Sequence, residues 1–179
     1  MISICFILFL SISILTTSYG QGTCASGWVQ NGGSCYLITT LFNSGSLLGS
    51  WDQCNAYCST SYPGAMMLCV NNAAEDDWLT GQYAQLEGLK NYWIGYTDMP
   101  PYGGGKGTKQ YGWVTGCSST YTNWLSGQPN NEYDREDYAH VDFYTDPSSQ
   151  WVDHPQTDYH YFQRCGCQYK PDASEDVSE

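Results

Sequence analysis

Cysteine and histidine are the side chains of this sequence whose chemistry depends most on number and spacing. Nine cysteines occur in 179 residues, a density that suits an oxidising compartment rather than the cytosol. The first, Cys5, lies in the stretch Ile2–Leu15, which has no charged side chain. That stretch is shorter than the roughly 20 apolar residues of a membrane span and has the length of a signal-peptide core. Ser18 and Gly20 precede a plausible cut ahead of Gln21, so residues 1–20 are expected to be a signal peptide. Its removal leaves Cys24, Cys35, Cys54, Cys58, Cys69, Cys117, Cys165 and Cys167. An even set predicts disulfides with no thiol left over, although roughly a hundred pairings are open to eight cysteines. Zinc is the competing chemistry, but the spacing of Cys54 to Cys58 and of Cys165 to Cys167 is not the paired Cys-x-x-Cys of a zinc ribbon. The histidines His140, His154 and His160 sit among acids, without a His-Glu-x-x-His spacing or a nucleophile motif. They read as surface or strand residues, and the chain is not expected to be an enzyme.

The rest of the composition bounds what these residues serve. Eighteen acidic against six basic side chains give a net charge of −12, and no basic run occurs. This excludes nucleic acid, whose binders neutralise phosphates with clustered Lys and Arg, and it excludes attraction to an anionic membrane surface. Nothing after the leader is apolar enough for membrane insertion, so the expected location is extracellular. Aromatics make up 16% of residues, which a disordered chain lacks. Trp28–Leu37 reads as a hairpin about Asn31-Gly32-Gly33. Ser50 is a fair N-cap for a helix whose Trp51, Cys54 and Cys58 share one face, and Pro63-Gly64 stops it. A strand over 65–70 follows, then a helix over 72–86 with Trp78, Leu79 and Leu86 inward and acids in its first turn. A strand over 92–96 leads into a Pro- and Gly-rich loop over 99–107. Short aromatic strands continue to Asp158, and 159–169 alternates as one final strand. The order predicts one α+β domain over 21–170, with a disordered acidic tail over 171–179.

Several segments then fall together. Gly27-Trp28 with Ser34-Cys35-Tyr36, then Trp51, Ala56 and Cys58, then Trp93-Ile94-Gly95 resemble successive parts of the C-type lectin-like domain. So do Trp113, Gly116, Asn123-Trp124, Gly127-Gln128-Pro129-Asn130 and Trp151-Val152-Asp153. The resemblance runs from about Cys24 to Tyr169 and is to a long-form, single-domain secreted member. It implies two helices with antiparallel sheets, a long calcium-binding loop region and disulfide staples. It also implies a carbohydrate-binding protein in which one calcium ion ligates neighbouring sugar hydroxyls. Calcium takes six to eight oxygens, and a side-chain amide offers it an oxygen while keeping an N–H for the sugar. Carried over by motif, the metal and sugar ligands are Gln128, Asn130, Glu136 and Asp153, with Pro129 as the cis-proline between the first two. Taken alone, Gln128-Pro129-Asn130 reads as an ordinary turn.

The chain departs from the family pattern at Val152, where sugar-binding members carry Asn. It also carries Gln-Pro-Asn, between the Glu-Pro-Asn of mannose-type and the Gln-Pro-Asp of galactose-type members. The implied site therefore has two carboxylates where three are usual, with Glu132, Asp134 and Asp137 close by in sequence. A weakened calcium site is expected, and the sugar type stays open. The resemblance implies bridges Cys24–Cys35 and Cys58–Cys167, while the family's inner bridge has Tyr138 and Gln156 in place of its cysteines. One helical turn between Cys54 and Cys58 matches two strand residues between Cys165 and Cys167. That match predicts Cys54–Cys165 beside Cys58–Cys167 and leaves Cys69–Cys117. The expected partners are glycans. The alternative is a calcium-independent module of the same fold that binds protein, ice or mineral. No heptad segment assembles copies, although a homo-oligomer is compatible with the chain.

Overall fold

The computed structural model describes residues 22–37, 50–85, 91–114, 116–142, 149–156 and 164–171. The expected signal peptide with its Cys5, the inward Leu86, His160 and the tail beyond residue 171 lie outside the described residues. The element order is β1 (Val29–Asn31), β2 (Ser34–Leu37), α1 (Trp51–Ser61), β3 (Met66–Met67), α2 (Ala73–Tyr83), β4 (Tyr92–Thr97) and β5 (Gly112–Trp113). A 3-10 turn (Glu132–Asp134), β6 (Tyr138–Val141), β7 (Trp151–His154), β8 (Arg164–Cys165) and β9 (Cys167–Tyr169) complete it. Two sheets result, β1-β2-β9-β3 and β5-β4-β6-β7, with β8 parallel to β4 at the side of the second.

Both helices begin as the sequence dictates. Ser50 Oγ accepts the Gln53 N–H at 3.3 Å, and Gln53 Oε1 accepts the Ser50 N–H at 2.9 Å, a reciprocal cap. Asn72 Oδ1 accepts the Glu75 N–H at 3.0 Å at the start of α2. The acids in the first turn of α2 are not solvated dipole partners, however, because Glu75 and Asp76 are buried. Glu75 accepts the Tyr36 hydroxyl and the Asn71 N–H. Asp76 accepts from Tyr121 Oη at 3.1 Å and from Asn123 Nδ2 at 2.8 Å, which ties α2 to the chain leading into the long loop. Leu79 and Tyr83 are fully buried, while Trp78 only packs against the core edge.

One core cluster joins α2 to the second sheet through Leu79, Tyr83, Tyr92, Ile94, Val141 and Trp151. A second joins α1 through Trp51, Met67, Trp93, Val114 and Tyr138, and a third, smaller one holds Cys35, Ala65 and Tyr169. Around the second the structure pairs Cys54 with Cys165 and Cys58 with Cys167, at Cα separations of 5.1 and 5.3 Å. Cys24–Cys35 and Cys69–Cys117 complete four disulfides.

Two strand expectations change. Of residues 65–70 only Met66 and Met67 pair with β9. Leu68 instead stitches the sheets together, its N–H donating to Gly166 O at 2.7 Å and its carbonyl accepting the Gly95 N–H at 2.8 Å. The single strand expected over 159–169 is, where described, two strands that switch sheets at Gly166. A glycine suits the switch, since a Cβ there would stand 3.0 Å from both Leu68 Cβ and Trp93 O, close enough that a neighbour must shift. No described helix is long and apolar enough to cross a membrane.

Candidate functional site

The chain enters the long loop from a short parallel contact between Trp124 and Trp151, clamped by Leu125 N–H to Trp151 O at 2.8 Å and Trp151 N–H to Asn123 O at 2.7 Å. A turn follows, with Gly127 at φ 92° and the Gln128 N–H on Leu125 O, and the Gln128–Pro129 peptide is cis. Asp153 lies on β7 opposite Ala139 of β6 and is 2% exposed. Its two oxygens hold the loop. Oδ1 accepts the Asn130 N–H at 3.0 Å and Oδ2 the Asn131 N–H at 2.7 Å. Gln128 Oε1 shares the Asn130 N–H at 3.0 Å.

Glu136, at the far end of the loop, is fixed in a similar way. Its Oε2 accepts the Glu132 N–H at 2.8 Å, and its own N–H donates to Asn131 Oδ1 at 3.1 Å. Tyr111 Oη donates to its carbonyl at 3.1 Å. Burial raises the Glu136 carboxyl to about 7; the Glu132 N–H opposes this and the Asp153 and Glu132 charges add to it. The Tyr111 hydroxyl is raised too, by burial first and then by the surrounding carboxylates, so it stays a hydrogen-bond donor.

Gln128, Asn130, Glu136 and Asp153, the four expected ligands, all line one cavity of about 280 Å³. Leu125, Glu132, Val152, Asn91, His140, Asp142 and His154 line it with them. His140 is buried and stacks on His154 with centroids 5.2 Å apart, so these are packed strand residues. The donors are all oxygens, which fits calcium in kind. Of the four expected ligands only Glu136 and Asp153 carry charge, and no group of three or more His, Cys, Asp or Glu able to hold a metal occurs among the described residues. An ion here would rest on the two amides as much as on the two acids.

A second pair of acids joins Asp137, which the sequence places near the site but which does not line the cavity, to Asp98, which sequence reasoning missed. Asp98 and Asp137 are 0% and 5% exposed. Asp137 Oδ1 accepts the Gly107 N–H at 2.9 Å, and Asp98 Oδ2 the Lys109 N–H at 3.2 Å. Burial is the main reason that Asp98 rises to about 6; the Lys109 N–H opposes it and the Asp137 charge adds to it. The pair ties the Pro- and Gly-rich loop to the long loop. No local pattern links residues so far apart in sequence.

Two helices flanked by disulfide-stapled antiparallel sheets, with an oxygen-lined cavity in a long loop about a cis-proline, define a lectin-like binding domain. Comparison with known proteins places it. The Lectin C-type domain family model matches residues 48–163, and the chain belongs to that family. It is 28% identical over 170 residues to a C-type lectin of Micrurus corallinus, covering 94% of this chain and 96% of that protein. Its fold is that of the C-type lectin CEL-I from Cucumaria echinata, with a TM-score of 0.67 at 22% identity, covering 84% of this chain and all of that one. The SPL-1–GlcNAc complex superposes with a TM-score of 0.61 at 26% identity, over 83% and 99% of the two chains.

Proposed function

We propose that this chain is a secreted, non-enzymatic lectin that binds glycans through a calcium ion held by Gln128, Asn130, Glu136 and Asp153. The observation that carries the proposal is the convergence of these four oxygen-bearing side chains, drawn from a loop and a distant strand, on one cavity. Calcium supplies open coordination positions that two neighbouring sugar hydroxyls can fill. Glu136 and Asp153 accept the hydroxyl protons, while the amide N–H groups of Gln128 and Asn130 donate to the hydroxyl oxygens. Asp153 accepts from the backbone N–H groups of both Asn130 and Asn131, which supports a loop held against β7 by the chain's own hydrogen bonds. The structural relative bound to GlcNAc supports a sugar as the ligand class.

Two observations favour the calcium-independent alternative, a module that binds protein, ice or mineral. Both Asp153 oxygens are engaged by N–H groups, and Val152 lines the cavity without an oxygen donor. Affinity chromatography separates the readings. The mature protein is passed in millimolar calcium over resins bearing mannose, galactose or N-acetylglucosamine. Retention with release by chelator is expected, and loss of retention in Glu136→Ala. Passage through all three resins, or retention that chelator leaves intact, contradicts the proposal.

A further inference from the structure

A second cleft lies between the β1–β2 hairpin and the start of α2, and no described residue lines both it and the candidate site. At about 470 Å³ it falls within the usual range of ligand pockets. The hairpin contributes Asn31, Ser34 and Tyr36 to its lining, and the α2 side contributes Asn71, Glu75 and Trp78. Glu75 is the acid of the cleft and is 8% exposed. Its Oε1 accepts the Tyr36 hydroxyl. Its Oε2 accepts the Asn71 N–H at 2.7 Å and Asn71 Nδ2 at 2.9 Å. These donors are neutral, and no lysine, arginine or histidine lines the cleft among the described residues. The carboxylate is thus held by hydrogen bonds that do not cancel its charge. A buried charge is costly without a counter-charge, and the positive end of α2 offsets only about half a unit. The chain's net charge of −12 adds to the negative field. The cleft therefore favours a cation.

The lining also selects the kind of cation. A metal ion needs several oxygen ligands, and no group of three or more His, Cys, Asp or Glu able to hold one occurs among the described residues. Aromatic rings are present instead. Trp78 is half-buried and follows Glu75 by about one helical turn. Its ring centroid lies 5.1 Å from that of Tyr36, with the planes tilted by 60°. Both rings line the cleft with the acid, so a cation there meets ring as well as carboxylate. Three hydrogen bonds already occupy Glu75, of roughly four that a carboxylate accepts. A primary ammonium or a guanidinium finds few acceptors left at the acid, whereas a quaternary ammonium needs none. We infer that this cleft binds a quaternary ammonium group of the choline type, held by the charge of Glu75 and the rings of Trp78 and Tyr36. The site is independent of the calcium and sugar reading.

The test is calorimetry with choline, with its neutral isostere in which carbon replaces the ammonium nitrogen, and with ethanolamine. Choline is expected to bind about tenfold more tightly than the isostere, the size of a desolvated cation–π contact. It also binds more tightly than ethanolamine, and its affinity is the same in calcium and in chelator. Trp78→Leu removes the ring face and Glu75→Gln removes the charge at nearly constant volume; each lowers the affinity about tenfold, and Trp78→Phe lowers it less. The comparison of choline with its isostere uses the wild type, so it decides even where a variant fails to fold. No binding of choline, or equal affinity for choline and the isostere, overturns the site. Ethanolamine bound as tightly as choline overturns the quaternary ligand. A choline affinity that survives in both folded variants overturns its place in this cleft. Each of these failures leaves the sugar-binding reading standing.

Discussion

The two bridges between α1 and the end of the chain should be strongly non-additive. Cys54–Cys165 and Cys58–Cys167 close loops with sequence separations of 111 and 109 residues. They lie side by side, so once one is closed the other closes a ring of only about six residues along helix and strand. By chain entropy, a loop of about 110 residues contributes about 4.8 kcal/mol and one of about six residues about 2.2 kcal/mol. Removing either bridge as a Cys→Ala pair is expected to cost about 2 kcal/mol, since the other still holds the long loop closed. Removing both costs about 7 kcal/mol, roughly 2.5 kcal/mol more than the two single removals together. All four cysteines are at most 2% exposed, so burial lost with the sulfurs affects each pair alike and largely cancels from the comparison. Guanidinium unfolding of the wild type, the two double variants and the quadruple variant measures this directly. Additivity within about 0.5 kcal/mol would refute the reasoning, as would one bridge carrying nearly the whole effect.

Two further predictions concern the site and its frame. In the calcium-free protein Glu136 and Asp98 are raised to about 7 and about 6, above the unfolded carboxyl values near about 4. The folded chain therefore binds more protons across that interval. Their contribution to stability is fully present below about pH 4 and is lost as pH rises through 6 to 7. Urea midpoints between pH 4 and 8 should show Glu136→Gln flattening the upper part of that slope, and an unchanged profile contradicts the assignment. At the sheet switch, Gly166→Ala pushes a methyl to 3.0 Å from Leu68 Cβ and Trp93 O and should cost about 1–3 kcal/mol. A neutral result in the same assay would show that the backbone there yields freely.

What sequence reveals here depends on how local its cause is. The start of α1 is legible because Ser50 and Gln53 make their own reciprocal cap, and its buried face follows from the spacing of Trp51, Cys54 and Cys58. The β1–β2 hairpin is legible in Asn31-Gly32-Gly33, where the turn takes Gly32 to φ 57°. The break at Gly166 is not, because alternation over 159–169 carries no trace of Leu68 and Trp93 crossing from other elements. Burial of Glu75 and Asp76 escapes the sequence for the same reason. Their partners Tyr36, Tyr121 and Asn123 are distant in the chain, and acids in a first helical turn ordinarily face solvent. Gln128, Asn130, Glu136 and Asp153 can be chosen from the resemblance. Only the structure gives the hydrogen bonds by which Asp153 and Glu136 shape the loop.

The most direct test of the central claim is thermal unfolding of the protein with calcium and with chelator. A ligand that binds only the folded chain stabilises it by RT ln(1 + [L]/Kd), about 2.7 kcal/mol at a hundredfold excess over Kd. The prediction is a melting temperature that rises and saturates with calcium, with the rise lost in Glu136→Ala. No rise up to about 10 mM calcium, where even a Kd near 1 mM would give about 1.4 kcal/mol, contradicts an ion site at Gln128, Asn130, Glu136 and Asp153. A rise that persists undiminished in Glu136→Ala contradicts it equally.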